Sequence, residues 1–336
     1  MAVLTQLGDE ELRAIAAIYG LSLRSARPVL AGSVNTNHEL VDSDGGRWFL
    51  RLYEEQGAAG ARRECALVRR LAEGGVPTPA PKSRPDGGGP IATWNGKAVA
   101  LYPFVEGEHL CQARVRPEHT ATVGAALARI HLLGEGLGPE ERSELTAPSR
   151  FSERALLSRL VGVLEGPAPP EVHADAARIL ARLEPLASSP DPAPELPVVH
   201  GDLFRDNVLF EPSGALAALL DFESASRGTA SFDVAVTVLA WCFGSELELE
   251  LVRGFFGGYA GVRTPKPEEL AALPRGLELA CLRFATTRIT DYELRSSGLG
   301  VRKDYRRWLA RLDALDRHLE AILDLARAVP AEREEV

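Results

Sequence analysis

Lysine is scarce in this 336-residue chain, which carries only four, at positions 82, 97, 266 and 303. Acidic residues outnumber basic ones by 47 to 38, the net charge is −9, and the sequence contains no basic block. The electrostatic footprint of a nucleic-acid-binding protein is therefore missing, and we expect no nucleic-acid partner. An anionic ligand such as a nucleotide would need a local positive site, and arginine would have to supply it.

Cysteine and long apolar runs are scarce as well. The cysteines are widely spaced and form no C-x-x-C pair, which predicts reduced thiols at positions 65, 111, 242 and 281. The longest apolar run, from Val234 to Phe243, is too short to span a bilayer. The first residues contain neither the basic nor the apolar region of an export signal. We therefore expect a cytoplasmic protein with no membrane partner.

The order of the predicted elements indicates two lobes. Strand-like segments and hairpin turns dominate the first part of the chain, and helical periodicity dominates from Glu106 onward. The predicted fold class is α+β, with a small antiparallel β-sheet lobe over residues 1–105 and a larger, mainly helical lobe over residues 106–330. The charged residues 331–336 predict a frayed tail.

Polar residues interrupt the apolar runs of the stretch 198–223 at places where strands would end. His200 and Asp202 form a His-x-Asp triplet, Asn207 follows after four residues, and Asp221 comes fourteen residues further on. Strand interiors disfavour Asp, so carboxylates at strand ends indicate a function. This spacing is typical of the catalytic loop of a phosphotransferase.

Phosphoryl transfer requires positioned groups that neutralise charge and one carboxylate that takes the proton of the acceptor hydroxyl. Asp202 is the candidate for that base, and His200 is predicted to hold the loop by hydrogen bonding. Asn207 and Asp221 offer the hard oxygen ligands that Mg²⁺ prefers. For Asp206 the sequence leaves two roles open, a supporting group behind the metal site or a solvated loop acid.

Two further polar residues have simple structural interpretations. His131 lies on the apolar face of a predicted helix, which indicates a hydrogen-bonded core histidine. Asp233 stands near the start of a predicted helix, where a carboxylate stabilises the N-terminus. We also expect Asp233 to brace the catalytic loop.

Residues for a nucleotide are predicted in the first lobe. Arg51 lies inside the apolar strand 47–53, and the helix after it contains Glu64, which predicts an Arg51–Glu64 pair beside the phosphates. The strand that ends near Tyr102 and Phe104 leads to a glycine, as in a hinge whose backbone meets adenine. The turn before the second strand is rich in residues that tolerate positive φ or leave backbone N–H groups open to a phosphate, namely Gly32, Ser33, Asn35, Thr36 and Asn37.

Several stretches together resemble a known family. They are Gly32 to Asn37, Phe49 to Glu54, Pro77 to Pro79, Pro103 to Gly107, Leu127 to Leu132, His200 to Phe204, Asp206 to Val208, and Asp233 to Phe243. In these stretches the chain resembles the aminoglycoside phosphotransferase/choline kinase superfamily, which has the two-lobed protein-kinase-like fold. Within it the chain is most similar to the kinase-like (type II) bacterial homoserine kinases. The resemblance implies a kinase that uses ATP and Mg²⁺ to phosphorylate the side-chain hydroxyl of L-homoserine, on the threonine pathway.

The chain departs from the family pattern at some positions, so the acceptor stays open. Arg51 stands where much of the superfamily has lysine, and Arg205 replaces a proline of the homoserine kinase loop. The run 222–227 after Asp221 also differs from the homoserine kinase pattern, which makes the acceptor less certain than the kinase activity. Choline, methylthioribose or an aminoglycoside are alternative acceptors, and a nucleotide-binding module without catalysis is an alternative of another class. Arg288 and Asp291 are candidates to face the cleft, but the simpler expectation, which we favour, is an ordinary surface pair on a helix. The sequence does not define an oligomeric state.

Overall fold

The computed structural model describes residues 4–30, 34–190, 195–295 and 303–334. These residues group into two compact units, one up to Gly107 and the other from Glu108 onward. Whether these units are the functional lobes stays a prediction. In the described residues no helix is long and apolar enough to cross a membrane.

The N-terminal unit is a five-stranded antiparallel sheet with two helices. Its elements are α1 (Asp9–Ile18), β1 (Leu23–Pro28), β2 (Thr36–Asp42), β3 (Arg47–Leu52), α2 (Ala58–Glu73), β4 (Ile91–Trp94) and β5 (Lys97–Pro103). The strand order is β1-β2-β3-β5-β4, and every neighbouring pair is antiparallel.

Alternation of apolar side chains explains how this sheet forms its core. Leu50 and Leu52 of β3 and Val99 and Leu101 of β5 point to one face and are buried, as the two-residue period of a strand requires. Helix α1 covers that face with residues at helical spacing, including Ile15.

The C-terminal unit is mainly helical. Its helices are α3 (Pro117–Glu135), α4 (Pro139–Leu145), α5 (Glu153–Glu165), α6 (Pro170–Ser188), α7 (Ala230–Trp241), α8 (Leu249–Ala260), α9 (Pro267–Arg288) and α10 (Arg306–Glu334). Its strands are β6 (Glu195–Val199), β7 (Val208–Phe210), β8 (Leu216–Leu219) and β9 (Ser226–Thr229). Strand β6 pairs with β9 and β7 with β8, both antiparallel. The predicted α+β class, a small antiparallel sheet followed by a larger helical part, is confirmed.

Helices α3 and α8 cross with backbone against backbone. A Cβ atom on Gly258 would lie 1.8 Å from the carbonyl oxygen of Ala121, and one on Gly254 would lie 2.5 Å from that of Pro117. Only glycine permits such an approach. The contacts follow the same order along both helices, so side chains near their C-terminal ends lie opposite each other, which matters for the site below.

The ends of several elements differ from the predictions. The sequence predicts the first strand over residues 27–30, but β1 begins at Leu23, because it is a largely exposed edge strand whose polar residues give no alternating pattern. The sequence also predicts one regular helix over residues 268–295, whereas α9 ends at Arg288 and continues as a π-helical turn, Ile289–Glu293. Helix α10 runs to Glu334, so most of the predicted tail continues the helix.

Candidate active site

The loop after β6 is held by one buried carboxylate. Asp233 is fully buried on α7, and its two oxygens accept hydrogen bonds from the backbone N–H groups of His200 and Gly201, each at 2.7 Å. Gly201 has a φ of +74°, and a Cβ there would lie 3.0 Å from the carbonyl oxygen of Ser224. These contacts confirm that Asp233 braces the loop after β6, while the catalytic role of that loop stays a prediction.

Asp233 is the inner end of a chain of buried hydrogen bonds. His131 of α3 contacts Asp233 through Nε2 at 3.0 Å and the Tyr259 hydroxyl of α8 through Nδ1 at 2.7 Å. Arg263 donates to that hydroxyl at 2.8 Å and to Glu135 at 2.9 Å. His131 is thus the hydrogen-bonded core histidine that its position predicted. This series of hydrogen bonds connects the catalytic loop, through the α3–α8 crossing, to the edge of the C-terminal unit.

Electrostatics favour an ionised Asp233 in spite of its burial. Desolvation pushes the pKa of its carboxyl upward, but the hydrogen bond from His131 and the nearby backbone N–H groups outweigh that effect. The pKa of Asp233 therefore lies below its ordinary value. A buried carboxylate that accepts this many hydrogen bonds keeps its charge at neutral pH.

His200 uses both ring nitrogens within the protein. Its Nε2 contacts the carbonyl oxygen of Leu220 at 3.1 Å, and its Nδ1 accepts the backbone N–H of Asp202 at 3.3 Å. The ring also packs on Phe222, with ring centroids 4.6 Å apart. These contacts fit a residue that shapes the loop, as the sequence predicted.

The structure brings the three predicted polar residues of this loop together. The Asn207 side-chain nitrogen donates to the carbonyl oxygen of Asp202 at 2.8 Å, and the backbone of Asn207 accepts the N–H of Leu220 at 2.9 Å. The residue after Leu220 is Asp221, which has a φ of +61°. A left-handed conformation is costly for a residue with a Cβ, and such strain is concentrated at functional sites.

Asp202 and Asp221 influence each other electrostatically. Burial raises the pKa of the Asp202 carboxyl, Arg283 opposes the rise, and the negative charge of Asp221 adds to it. A cation between two such carboxylates would relieve their repulsion.

The donor set fits Mg²⁺ better than a softer metal. In the described part of the chain, no three or more His, Cys, Asp or Glu side chains cluster as a metal site. Asn207 and Asp221 instead supply an amide oxygen and a carboxylate, and the amide nitrogen is already used by Asp202. Mg²⁺ takes few protein oxygens and keeps several waters, so this set suits it.

Arg283 of α9 lies against the loop and was not predicted. It is 3% exposed, donates to the carbonyl oxygen of Gly201, and packs its guanidinium 4.3 Å from the ring centroids of both Phe151 and Phe284. Burial lowers its pKa to about 10, and Asp202 opposes that shift. The available signal was an arginine inside the apolar run 279–285, where a charge needs a reason.

The predicted Arg51–Glu64 pair is present in the N-terminal unit. Arg51 Nη1 and Glu64 Oε1 are 3.2 Å apart, with side chains 13% and 4% exposed. Their role toward a nucleotide stays a prediction.

The turn before β2 does not direct its side chains outward. The Thr36 hydroxyl accepts the N–H groups of Leu4 and Thr5, both at 3.0 Å, and donates to Glu54 at 2.5 Å. Asn35 accepts the N–H of Glu54 at 3.2 Å. The side chains of Asn35, Thr36 and Asn37 are all buried, so a phosphate contact from these three described residues would come from their backbone. Gly32 and Ser33 lie outside the described residues.

Tyr102 and Phe104 are engaged within the sheet. The Tyr102 hydroxyl is 2.9 Å from that of Tyr53 and 3.3 Å from the Cys65 sulfur, in the core. Phe104 donates its N–H to the carbonyl oxygen of Arg47 at 3.0 Å. The Tyr102 hydroxyl and the Phe104 N–H thus have protein partners, and nucleotide binding by other groups of these residues stays a prediction.

Residues 25–273 match the model of the phosphotransferase enzyme family. The chain belongs to this family. A homoserine kinase of Gluconacetobacter diazotrophicus is 32% identical over 93% of this chain and 96% of its own length. One of a Caulobacter species is 33% identical over 92% and 96%, respectively. The phosphotransferase is thus an ATP-dependent small-molecule kinase.

Solved structures confirm the kinase-like fold of this phosphotransferase. An amicoumacin kinase, solved in complex with AMP-PNP, Ca²⁺ and Ami, matches with a TM-score of 0.68 and 18% identity over 94% of both chains. An ethanolamine kinase of Plasmodium vivax matches with a TM-score of 0.62 and 14% identity, over 96% of this chain and 94% of its own. At these identities the likeness concerns the fold.

Proposed function

We propose that this phosphotransferase is an L-homoserine kinase, which transfers the γ-phosphoryl group of ATP to the side-chain hydroxyl of L-homoserine. The observation that carries the proposal is the identity of 32–33% with homoserine kinases over more than nine-tenths of both chains. The arrangement of Asp202, Asn207 and Asp221 supports the chemistry.

Asp202 is the base of the proposed reaction. Its backbone is held by His200 and Asn207, so its carboxylate has a defined position. Held beside the acceptor, it orients the hydroxyl and accepts its proton as the bond to phosphorus forms. Burial raises the pKa of the Asp202 carboxyl, and Arg283 opposes that rise and so favours the carboxylate form that a base requires.

Asn207 and Asp221 would hold Mg²⁺ through oxygen atoms. When bound, the ion neutralises negative charge on the transferring phosphates. The two residues are fixed by backbone geometry, since Leu220 ties Asp221 to Asn207. In the N-terminal unit, the Arg51 guanidinium would bind nucleotide phosphates while Glu64 orients it.

The test is ADP release from ATP and Mg²⁺ with a panel of acceptors: L-homoserine, choline, methylthioribose and an aminoglycoside. We expect the highest kcat/KM with L-homoserine. Highest activity with another acceptor would refute the homoserine assignment but keep the kinase. Nucleotide binding without ADP release on any acceptor would favour the non-catalytic module.

The role of Asp202 is tested by Asp202→Asn, with Asp206→Asn as the matched control because Asp206 is the exposed acid of the same loop. Asp202→Asn should lower kcat by about 10²–10⁴-fold and leave ATP binding close to wild type. Asp206→Asn decides between its two roles, since a solvated acid predicts little change. Wild-type turnover in Asp202→Asn would show that another group is the base.

A further inference from the structure

The C-terminal end of α9 has an irregular backbone beside the catalytic loop. Arg288 is the last residue of the helix, and the chain continues in a π-helical turn in which the Leu294 N–H donates to the Ile289 carbonyl oxygen at 3.0 Å. Such turns occur frequently at functional sites. Here the turn re-aims the side chains that follow Arg288.

Arg288 has no acidic partner among the described residues. Its Nη1 donates to the carbonyl oxygen of Asp304 at 3.0 Å, and its guanidinium lies 5.6 Å from the ring centroid of Trp308. A guanidinium has five N–H donors, so most of its capacity is available. The predicted surface pair is wrong, because Asp291 is held at 2.9 Å by Arg159.

Aromatic packing fixes Arg288 relative to the catalytic loop. Trp308, beneath Arg288, stacks on Phe284 with centroids 4.6 Å apart, and Phe284 meets Phe204 of the loop at 4.9 Å. One turn earlier on the same helix, Arg283 donates to Gly201. The end of α9 therefore moves with the loop that carries Asp202.

The charged guanidinium of Arg288 is partly desolvated and interacts electrostatically with Asp202. Burial lowers the pKa of Arg288 to about 10, Arg307 lowers it further, and Asp202 opposes these effects. A half-buried cation without an anion would gain from binding one, because Coulomb attraction is stronger where water is partly excluded.

We propose that Arg288 binds the carboxylate of the acceptor and so selects a hydroxy amino acid. This inference rests on the proposed function, in which Asp202 meets the acceptor hydroxyl. In L-homoserine only a short carbon chain separates hydroxyl and carboxylate, so a base and an anion-binding group must lie near each other. The planar guanidinium matches a carboxylate with two parallel hydrogen bonds. Choline, which lacks a carboxylate, would gain nothing from Arg288.

The experiment compares Arg288→Gln with wild type on L-homoserine and on 3-aminopropan-1-ol, which lacks only the carboxylate. The second compound is measured as a substrate or as a competitive inhibitor. Arg288→Gln should raise the KM for L-homoserine by about 30–100-fold. The KM of Arg288→Gln for ATP, and its KM or inhibition constant for 3-aminopropan-1-ol, should stay within about twofold of wild type. The matched control is Arg327→Gln, an arginine of α10 whose side chain is 56% exposed, which should leave the KM for L-homoserine and the KM for ATP unchanged.

An equal loss on both compounds would overturn the inference, since it would mean that Arg288 only supports the fold. A raised KM for ATP with an unchanged KM for L-homoserine would overturn it too. If Arg288→Gln does not fold, Arg288→Lys replaces it and must show a smaller loss that is still confined to the acceptor with a carboxylate. A wild type inactive on L-homoserine would refute the proposed function itself, and the inference with it.

Discussion

Asp233→Asn removes one charge from the centre of the buried chain that holds the catalytic loop. Asp233 accepts three hydrogen bonds, from the backbone of His200 and Gly201 and from the ring of His131. Asparagine has the same shape but only one acceptor oxygen. Its amide nitrogen would face donors, whichever way the amide is turned.

The expected loss follows from these contacts. A hydrogen bond to a charged group contributes about 1.5–3 kcal/mol, and breaking a buried charged pair costs about 3–5 kcal/mol. We therefore expect Asp233→Asn to lose about 3–5 kcal/mol of unfolding free energy. Since domains typically have about 5–15 kcal/mol, the variant should still fold in the cold. Turnover should fall together with stability, because the loop that carries Asp202 loses one of its two anchors on residue 233.

Urea unfolding, measured at a series of pH values, checks this magnitude. Because the pKa of Asp233 is lower in the folded than in the unfolded protein, its contribution is complete above the unfolded value, about 4. It is lost as the pH falls through the folded value. The difference between wild type and Asp233→Asn should thus be constant from pH 8 to about 5 and shrink below about 4.

The control for this experiment is Asp324→Asn on α10, whose carboxylate is 76% exposed. It should change the unfolding free energy by less than about 0.5 kcal/mol. If Asp233→Asn changes the unfolding free energy as little as this control does, Asp233 does not anchor the loop. The same follows if the destabilised variant keeps wild-type turnover at a temperature where it is folded.

Three further predictions concern other contacts. Gly258→Ala should destabilise the protein by about 1–3 kcal/mol and lower turnover, because the added Cβ would overlap the backbone of α3. Thermal unfolding and ADP release measure the two effects. The control is Gly162→Ala, at an open helical position, which should be neutral or stabilising. Glu135→Gln should lower the unfolding free energy of the protein by about 1–3 kcal/mol at pH 7. The hydrogen bond from Arg263 lowers the pKa of Glu135 to about 2, so this loss should shrink as the pH falls below about 4.5. A pH-independent loss in urea unfolding would contradict this prediction. Arg51→Ala should raise the KM for ATP at least tenfold. It should also destabilise the N-terminal sheet unit, because Glu64 loses its ion pair with Arg51. An unchanged KM for ATP would show that Arg51 does not bind the nucleotide.

The catalytic loop could be predicted because its signal is local. Asp202, Asn207 and Asp221 lie within twenty residues, and polar groups at strand ends stand out against apolar neighbours. The Arg51–Glu64 pair could also be predicted, since a charge inside a strand requires a partner nearby in the chain. In both cases short sequence separation limits the possible geometries.

Contacts between distant segments could not be predicted in the same way. Arg283 reaches Gly201 across more than eighty positions, and nothing in its own helix indicates which loop it meets. The buried side-chain contacts of the turn at Asn35 and Thr36 could not be predicted for another reason. Small polar residues suit a phosphate loop and a buried hydrogen-bonded turn equally well, and only the position of Glu54 distinguishes these structures.

The glycine contact between α3 and α8 has a consequence for how this enzyme can change. The distance between His131 and Tyr259 is set by two backbones in touch, which cannot be compressed as flexible side chains can. A side chain at position 254 or 258 would therefore push α8 away from α3, and the rigid packing would transmit this displacement to the catalytic loop. In a screen for activity these glycines would score as essential, although they have no side chain and both belong to α8 and not to the loop that carries Asp202.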